Sequence, residues 1–190
     1  MIRISQFEGL SGVRDSGIRS ESFMGTITLD AERELSNPLD AVEQVFSHNN
    51  WPFERRSDED ITVEIAGRWC AYQLWFSWRV EISALQFSCA FDMKVPEAKH
   101  DSIYRLLGLA NERLWFGHFV LWSDEGLPVF RHAMLLRECP GLSSAQMQDT
   151  IDIALTESER FYPAFQHVIW GGKSPDEALA LALVDTLGEA

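Results

Sequence analysis

The sequence predicts an α+β domain in which helices pack on one face of an antiparallel β-sheet. Three observations carry that expectation. Asp60–Ala66, Trp69–Trp78 and Ile82–Phe91 alternate apolar and polar residues in three successive extended segments, the two-residue period of strands. Strands come in runs, four before the second helix and two after it, rather than one for one with helices. The stretches between them carry apolar stripes at helical spacing, several opened by N-cap residues.

The meander sets the faces of the sheet. Ile61, Val63 and Ile65 share one side, as do Cys70, Tyr72, Leu74, Phe76 and Trp78, and Leu85, Phe87, Cys89 and Phe91. A tight loop at Arg79–Val80 sets Leu74 opposite Leu85 and Cys70 opposite Cys89. A loop at Val80–Glu81 shifts every pair by two and keeps the faces, so both registers stand. The reverse side holds Trp69, Ala71, Gln73, Trp75 and Ser77 with Ala84, Gln86 and Ser88. A half-wet aromatic patch suits a partner interface, where Trp is over-represented. Trp69, Trp75, Gln73 and Gln86 are therefore the expected protein-binding residues; the alternative is that a helix or the N-terminal segment covers them.

The other elements follow in order. Met1 to about Ser22 is rich in Gly, Ser and Arg without a sustained period, which predicts a flexible lead-in over 1–23 and a domain over 24–190. The preceding residues carry no folding signal, so a start of the functional protein near Met24 is an expectation. Asn37 caps a helix that Pro38 opens and Asp40 favours; Leu39, Val42, Val45 and Phe46 form its stripe, and it stops near Asn49-Asn50. Trp51–Arg56 reads as a short strand. After Val95-Pro96, a helix from Glu97 to about Phe116 carries Ile103, Leu107, Ala110 and Leu114, with Tyr104, Leu106 and Trp115 widening the stripe. Gly108 in its middle suggests close approach to the sheet, and Gly117 ends it. His118–Ser123 and Leu127–Leu136 form a hairpin through Asp124-Glu125-Gly126. Ser143-Ser144 opens a long helix, with Met147, Ile151, Ala154, Leu155, Phe161, Phe165 and Val168 on one face. Pro163 is expected to kink or split it. Gly171-Gly172 is a hinge, and Ser174-Pro175-Asp176-Glu177 restarts the chain as a capping box with Leu179, Leu183 and Leu187 on one face.

Composition excludes several function classes. A 46% hydrophobic content with 7 Trp, 3 Tyr and 12 Phe suffices for a packed core, so global disorder is out. A net charge of −13 opposes nucleic acid, which needs a basic footprint, and anionic membrane surfaces alike. No run approaches the ~18 apolar residues of a membrane span, and the N-terminus has no secretory core. Three cysteines fit a reducing cytoplasm.

No catalytic constellation is visible. His118 and His132 fall on paired strands, where a three-residue loop sets them opposite each other, but zinc wants three or four protein ligands; they read as structural. Cys70 and Cys89 sit on the apolar face and read as inert core, with Cys139 alone before Pro140-Gly141. Gly171-Gly172-Lys173-Ser174 lacks phosphate-loop spacing. Asp149, Asp152, Glu157 and Glu159 read as a solvated helix side. The expected reading is no enzyme, no metal and no cofactor.

Several segments in order resemble YbjN-domain proteins of the alphaproteobacterial type. They are N-P-L-D (Asn37–Asp40), F-E-R-R (Phe53–Arg56), G-R-W-C (Gly67–Cys70), L-W-F-G-H-F (Leu114–Phe119), F-R-H (Phe130–His132), E-R-F-Y-P-A-F-Q (Glu159–Gln166) and I-W-G-G-K-S-P-D-E-A-L-A (Ile169–Ala180). The resemblance covers about Leu29 to Ala190. It implies a fold similar to type III secretion chaperones and a bacterial sensory transduction regulator, with no reaction or ligand set to carry over. The resulting expectation is a cytoplasmic, non-enzymatic protein-binding regulator or chaperone-like adaptor, a homodimer, binding neither nucleic acid nor membrane. The rivals are a small-molecule sensor or enzyme with a pocket between the sheet and the C-terminal helices, and a purely structural subunit.

Overall fold

The computed structural model describes residues 37–139 and 141–187, with side chains through Val184. The expected lead-in, the start near Met24 and the domain boundary at residue 24 lie outside the described residues. Helix α1 (Pro38–His48) is followed by strands β1 (Phe53–Arg55), β2 (Asp60–Ala66), β3 (Ala71–Arg79) and β4 (Ala84–Phe91). Then come α2 (His100–Asn111), β5 (His118–Trp122), β6 (Leu127–Leu135), α3 (Ser144–Ile169) and α4 (Pro175–Leu187). This is the order the sequence predicts. The six strands form one sheet, β1-β2-β3-β4-β6-β5, with every neighbour antiparallel.

Local side-chain chemistry starts α1, α3 and α4. The Asn37 side chain accepts from the Leu39 N–H at 3.0 Å, and its own amide donates to Asp58 O in the β1–β2 turn. Arg55 on β1 then bridges Asp40 and Glu43, each at 2.8 Å, pinning α1 to the sheet edge. In α3, Ser143 and Gln146 complete a reciprocal capping box, satisfying two otherwise orphaned donors. Ser174 and Glu177 do the same before α4.

All four helices lie on the face of Ile61, Val63, Ile65, Tyr72, Leu74, Phe76, Phe87 and Phe91, whose side chains join theirs in one core. Phe91 is its centre, with ring centroids of Tyr72, Phe119, Tyr162 and Phe165 between 5.3 and 5.9 Å away. Phe119 in turn meets Phe130 and Phe161. The space between sheet and α3, where a ligand pocket was one expectation, is thus filled by fully buried rings.

Several boundaries and pairings differ from the sequence reading. The β3–β4 connection is a 3-10 turn at Val80–Ile82 closed by Ser83 at φ 48°, longer than either loop expected. Leu74 therefore faces Cys89 and Phe76 faces Phe87. The slip from both expected registers is an even number of residues, so every side chain keeps its face. Helix α2 begins at His100 after a separate 3-10 turn and stops at Asn111, not near Phe116. Its stop has a partner: the Asn111 amide accepts from Phe119 N–H and donates to Phe119 O, at 2.7 and 3.0 Å. Those are the bonds a seventh strand would make to β5. Trp115, freed from the helix, is fully exposed rather than part of its stripe.

Gly108 does not approach the sheet, since a Cβ there would meet open space. Gly117, at φ +67°, lies in the connection, where a Cβ would collide with the Phe130 ring. Pro163 does not split α3, which runs unbroken for 26 residues.

Candidate functional site

The sheet has a second face that none of the described helices covers. Along β2 it carries Thr62 and Glu64; along β3 Ala71, Gln73, Trp75 and Ser77; along β4 Ala84, Gln86, Ser88 and Ala90. The pairing continues it onto β6 as Val129, Arg131 and Ala133, and onto β5 as His118, Val120 and Trp122. Among the described residues, Trp75, Ala84, Ala90, Leu127 and Val129 are the buried hydrophobic ones that do not belong to the helix-side core.

This face is dry at its centre. Val129 is 0%, Ala90 2%, Ser88 2% and Trp75 5% exposed, values of a core rather than of a solvated sheet surface. The Trp75 and Trp122 rings meet at 5.6 Å with a 37° tilt, bridging the small residues between their strands. The Trp75 indole N–H is buried and finds no acceptor among the described residues. Polar groups rim the patch. Gln73 and Gln86 are half-buried, and the Gln86 carboxamide oxygen accepts from the Arg131 guanidinium. Burial draws the pKa of Arg131 below its ordinary value. Ser77 donates to Asp60 at 2.5 Å.

The four expected binding residues do not form one patch. Gln73, Trp75 and Gln86 share the second face, with Trp75 against Trp122 instead of half-wet. Trp69 is elsewhere, because β3 begins only at Ala71 and the alternation does not govern the residue before it. Its indole stacks on Tyr162 of α3 at 6.1 Å with the planes 5° apart. Its Nε1–H donates to Glu159 O at 3.1 Å, and Arg68 lies over its ring at 4.8 Å. Glu159 is not merely solvated, since its carboxylate accepts from Arg68 N–H at 2.7 Å. Trp122 and Arg131 were missed by the sequence reading. The signal was present in principle, because β5 and β6 carry the same alternation that exposed Trp75.

The remaining candidates are dispersed through the fold. His118 pairs with Arg131, not His132, because the β5–β6 loop is one residue longer than the three expected. The two imidazoles therefore sit on opposite sides of the sheet. His132 stacks on Phe116 at 3.7 Å; burial lowers its pKa, and burial followed by the Arg131 charge lowers that of His118. Cys89 lies beneath Ser158, and burial pushes its thiol up to about 12, far from the thiolate a redox centre needs. Cys70 is shifted upward for the same reason. Leu74, not Cys70, faces Cys89, and all three cysteines are free. Among the described residues no group of three or more His, Cys, Asp or Glu is placed to hold a metal. No described helix is long and apolar enough to cross a membrane.

Comparison with known proteins adds two findings. The family model "YbjN: Putative bacterial sensory transduction regulator" matches residues 38–167, from α1 through most of α3. The chain is also similar to a solved structure, "Crystal structure of YbjN, a putative transcription regulator from E. coli". That likeness has 12% identity and a TM-score of 0.43, over 63% of this chain and 90% of that one. No curated protein matches.

Proposed function

From the premise that this chain belongs to the YbjN family, we propose that it is a non-enzymatic protein-binding regulator or adaptor whose working surface is the second face of the sheet. The observation that carries the reading is that face itself: five apolar side chains held from water outside the helix-side core. A sheet surface built for solvent carries polar residues at such positions. A dry aromatic centre with a polar rim is the anatomy of a protein interface, and Trp with Arg are the residue types that anchor one. Gln73 and Gln86 supply the rim, Trp75 and Trp122 the centre, and Arg131 a positive group suited to an acidic or carbonyl-rich partner segment.

The secretion-chaperone-like mode, in which a partner lies extended along a groove or sheet, is compatible with this surface through side-chain pockets. Backbone pairing at β5 is less suited to it, since Asn111 already satisfies Phe119. We place its action in the cytoplasm, supported by three unbridged thiols of a kind that persists in a reducing compartment.

Charge at the rim tests the proposal. The double substitution Gln73→Glu with Gln86→Glu changes two half-buried amides to near-isosteric carboxylates. Affinity purification from native cells with quantitative mass spectrometry is expected to lose, by tenfold or more, the proteins that co-purify with the wild type. Circular dichroism and Tm check that the variant is folded. An unchanged set of co-purifying proteins with a folded variant contradicts the reading.

A further inference from the structure

Strand β6 outruns its neighbour. Strand β5 pairs with it only from Leu127 to Arg131, whereas β4 pairs with it as far as Leu135. Gly117, at φ +67° against Arg131 O, ends the pairing. From His132 to Leu135 the outer edge of β6 therefore has no strand partner among the described residues. Register decides which groups point there. Leu136 N–H donates to Ser83 O at 2.7 Å, and in an antiparallel pair the bonded residues alternate. His132 and Met134 thus bond inward to β4, while Ala133 and Leu135 turn their N–H and C=O groups outward. No other described segment takes those groups as partners.

The edge is also open to solvent. Ala133 is exposed and Leu135 is 76% exposed. Exposed Val80 and Ile82 stand in the β3–β4 turn at the same end of the sheet, where Arg79, Ala84 and Leu135 share one row. Natural edges are guarded against strand addition by lysine, proline or a bulge, and His132–Leu135 has none of these. We propose that this edge is a strand-addition site for an extended, acid-flanked apolar segment of a protein partner. This deepens the reading above, on which it rests for the partner being a protein, by naming how that partner is held.

Charge selects the occupant. Arg131 and Arg137 bracket Ala133 and Leu135 in a chain of net charge −13. Neither takes a carboxylate in the ion pairs among the described residues. Arg131 holds the Gln86 oxygen, but a guanidinium has donors to spare. A second copy fits poorly. The two-fold register that bonds both outward residues pairs Ala133 with Leu135 of the second copy, and sets Arg131 against its Arg137. Like charges directly opposite are destabilising, and His118 already occupies the position opposite Arg131. An acid-flanked segment meets the reverse situation. Its apolar residues lie opposite Ala133 and Leu135, with one acid beside Arg137 and the other diagonal to Arg131, within reach of a long side chain.

Amide hydrogen exchange of the full-length, isotope-labelled chain, followed by NMR, tests this. The probe is the capped peptide Asp-Thr-Val-Thr-Val-Thr-Asp, and its counterpart carries Lys at both ends. Ala133→Pro deletes an N–H that points outward and removes no bond to β4, the placement in which a strand tolerates proline. Leu135→Lys guards the edge without proline, and circular dichroism checks the fold of both. The Asp peptide is expected to slow exchange at the residue 133 and 135 amides and to bind about tenfold more tightly than the Lys peptide. Both variants are expected to lose the protection at residue 135. Equal or reversed affinities, protection that survives in both variants, or no protection by either peptide overturns the proposal. Protection without peptide that grows with protein concentration also overturns it, in favour of a second copy. The edge variants leave Gln73, Trp75 and Gln86 in place, and the face substitutions leave the edge unaltered, so either reading can fail alone.

Discussion

Phe91→Ala is expected to lower the stability of this domain by about 3–5 kcal/mol, the usual range for deleting a phenyl ring from a packed core. Four aromatic neighbours surround it within 6 Å, and it is 1% exposed. They come from β3, β5 and α3, so no single element can relax into the hole. That effect is a large part of a total of about 5–15 kcal/mol. Urea denaturation followed by circular dichroism should show a lower midpoint with an unchanged slope. Trp115→Ala is the control: a larger ring, but fully exposed, and expected to change stability by less than about 0.5 kcal/mol. Comparable losses for the two would mean that the ring cluster is not the core.

Trp69 should contribute through a different chemistry. Pro163 has no N–H, so the Glu159 carbonyl one turn earlier in α3 lacks its helical donor. Trp69 Nε1–H supplies that missing bond at 3.1 Å while its ring stacks on Tyr162. Trp69→Ala is expected to cost about 1–2 kcal/mol, through the stacking lost by a partly exposed indole and the lost hydrogen bond. Trp69→Phe isolates the hydrogen bond, at about 1 kcal/mol. In a Pro163→Ala background, residue 163 can donate to Glu159 itself. The same Trp69→Phe change should then cost less than about 0.5 kcal/mol, and the double-mutant cycle should close with a coupling near 1 kcal/mol. Additive effects would sever the link between Trp69 and the proline and leave only stacking.

Much of this architecture was written in the side-chain period. Ile61, Val63 and Ile65, or Leu85, Phe87 and Cys89, identify their face whatever the register, because an even slip preserves it. That is why the layer arrangement was legible while the β3–β4 pairing was not. The turn at Val80–Ser83 depends on Ser83 taking a left-handed conformation, which no local pattern announces. The end of α2 was hidden for a similar reason. Leu114 continues the apolar stripe, but Asn111 is recruited by the backbone of Phe119, a contact between elements. Pro163 misled in the opposite direction: a broken helix was the natural expectation, and the compensating indole lies far away in sequence at position 69. The second face was visible as Gln73, Trp75 and Gln86. Its dryness was not, since the contact of Trp75 with Trp122 joins residues of two strands that are not neighbours in the sheet.

The face of the sheet that the described helices leave uncovered is where another protein is proposed to bind. A charge scan of both layers, read by isothermal titration with a co-purified partner, tests it most directly. Glutamate at Gln73, Gln86 and Val120 is expected to weaken binding tenfold or more. Glutamate at exposed Tyr104, Trp170 and Leu181 of the helical layer is expected to leave Kd within twofold. The reverse pattern, with the helical positions sensitive and the sheet positions silent, would contradict it.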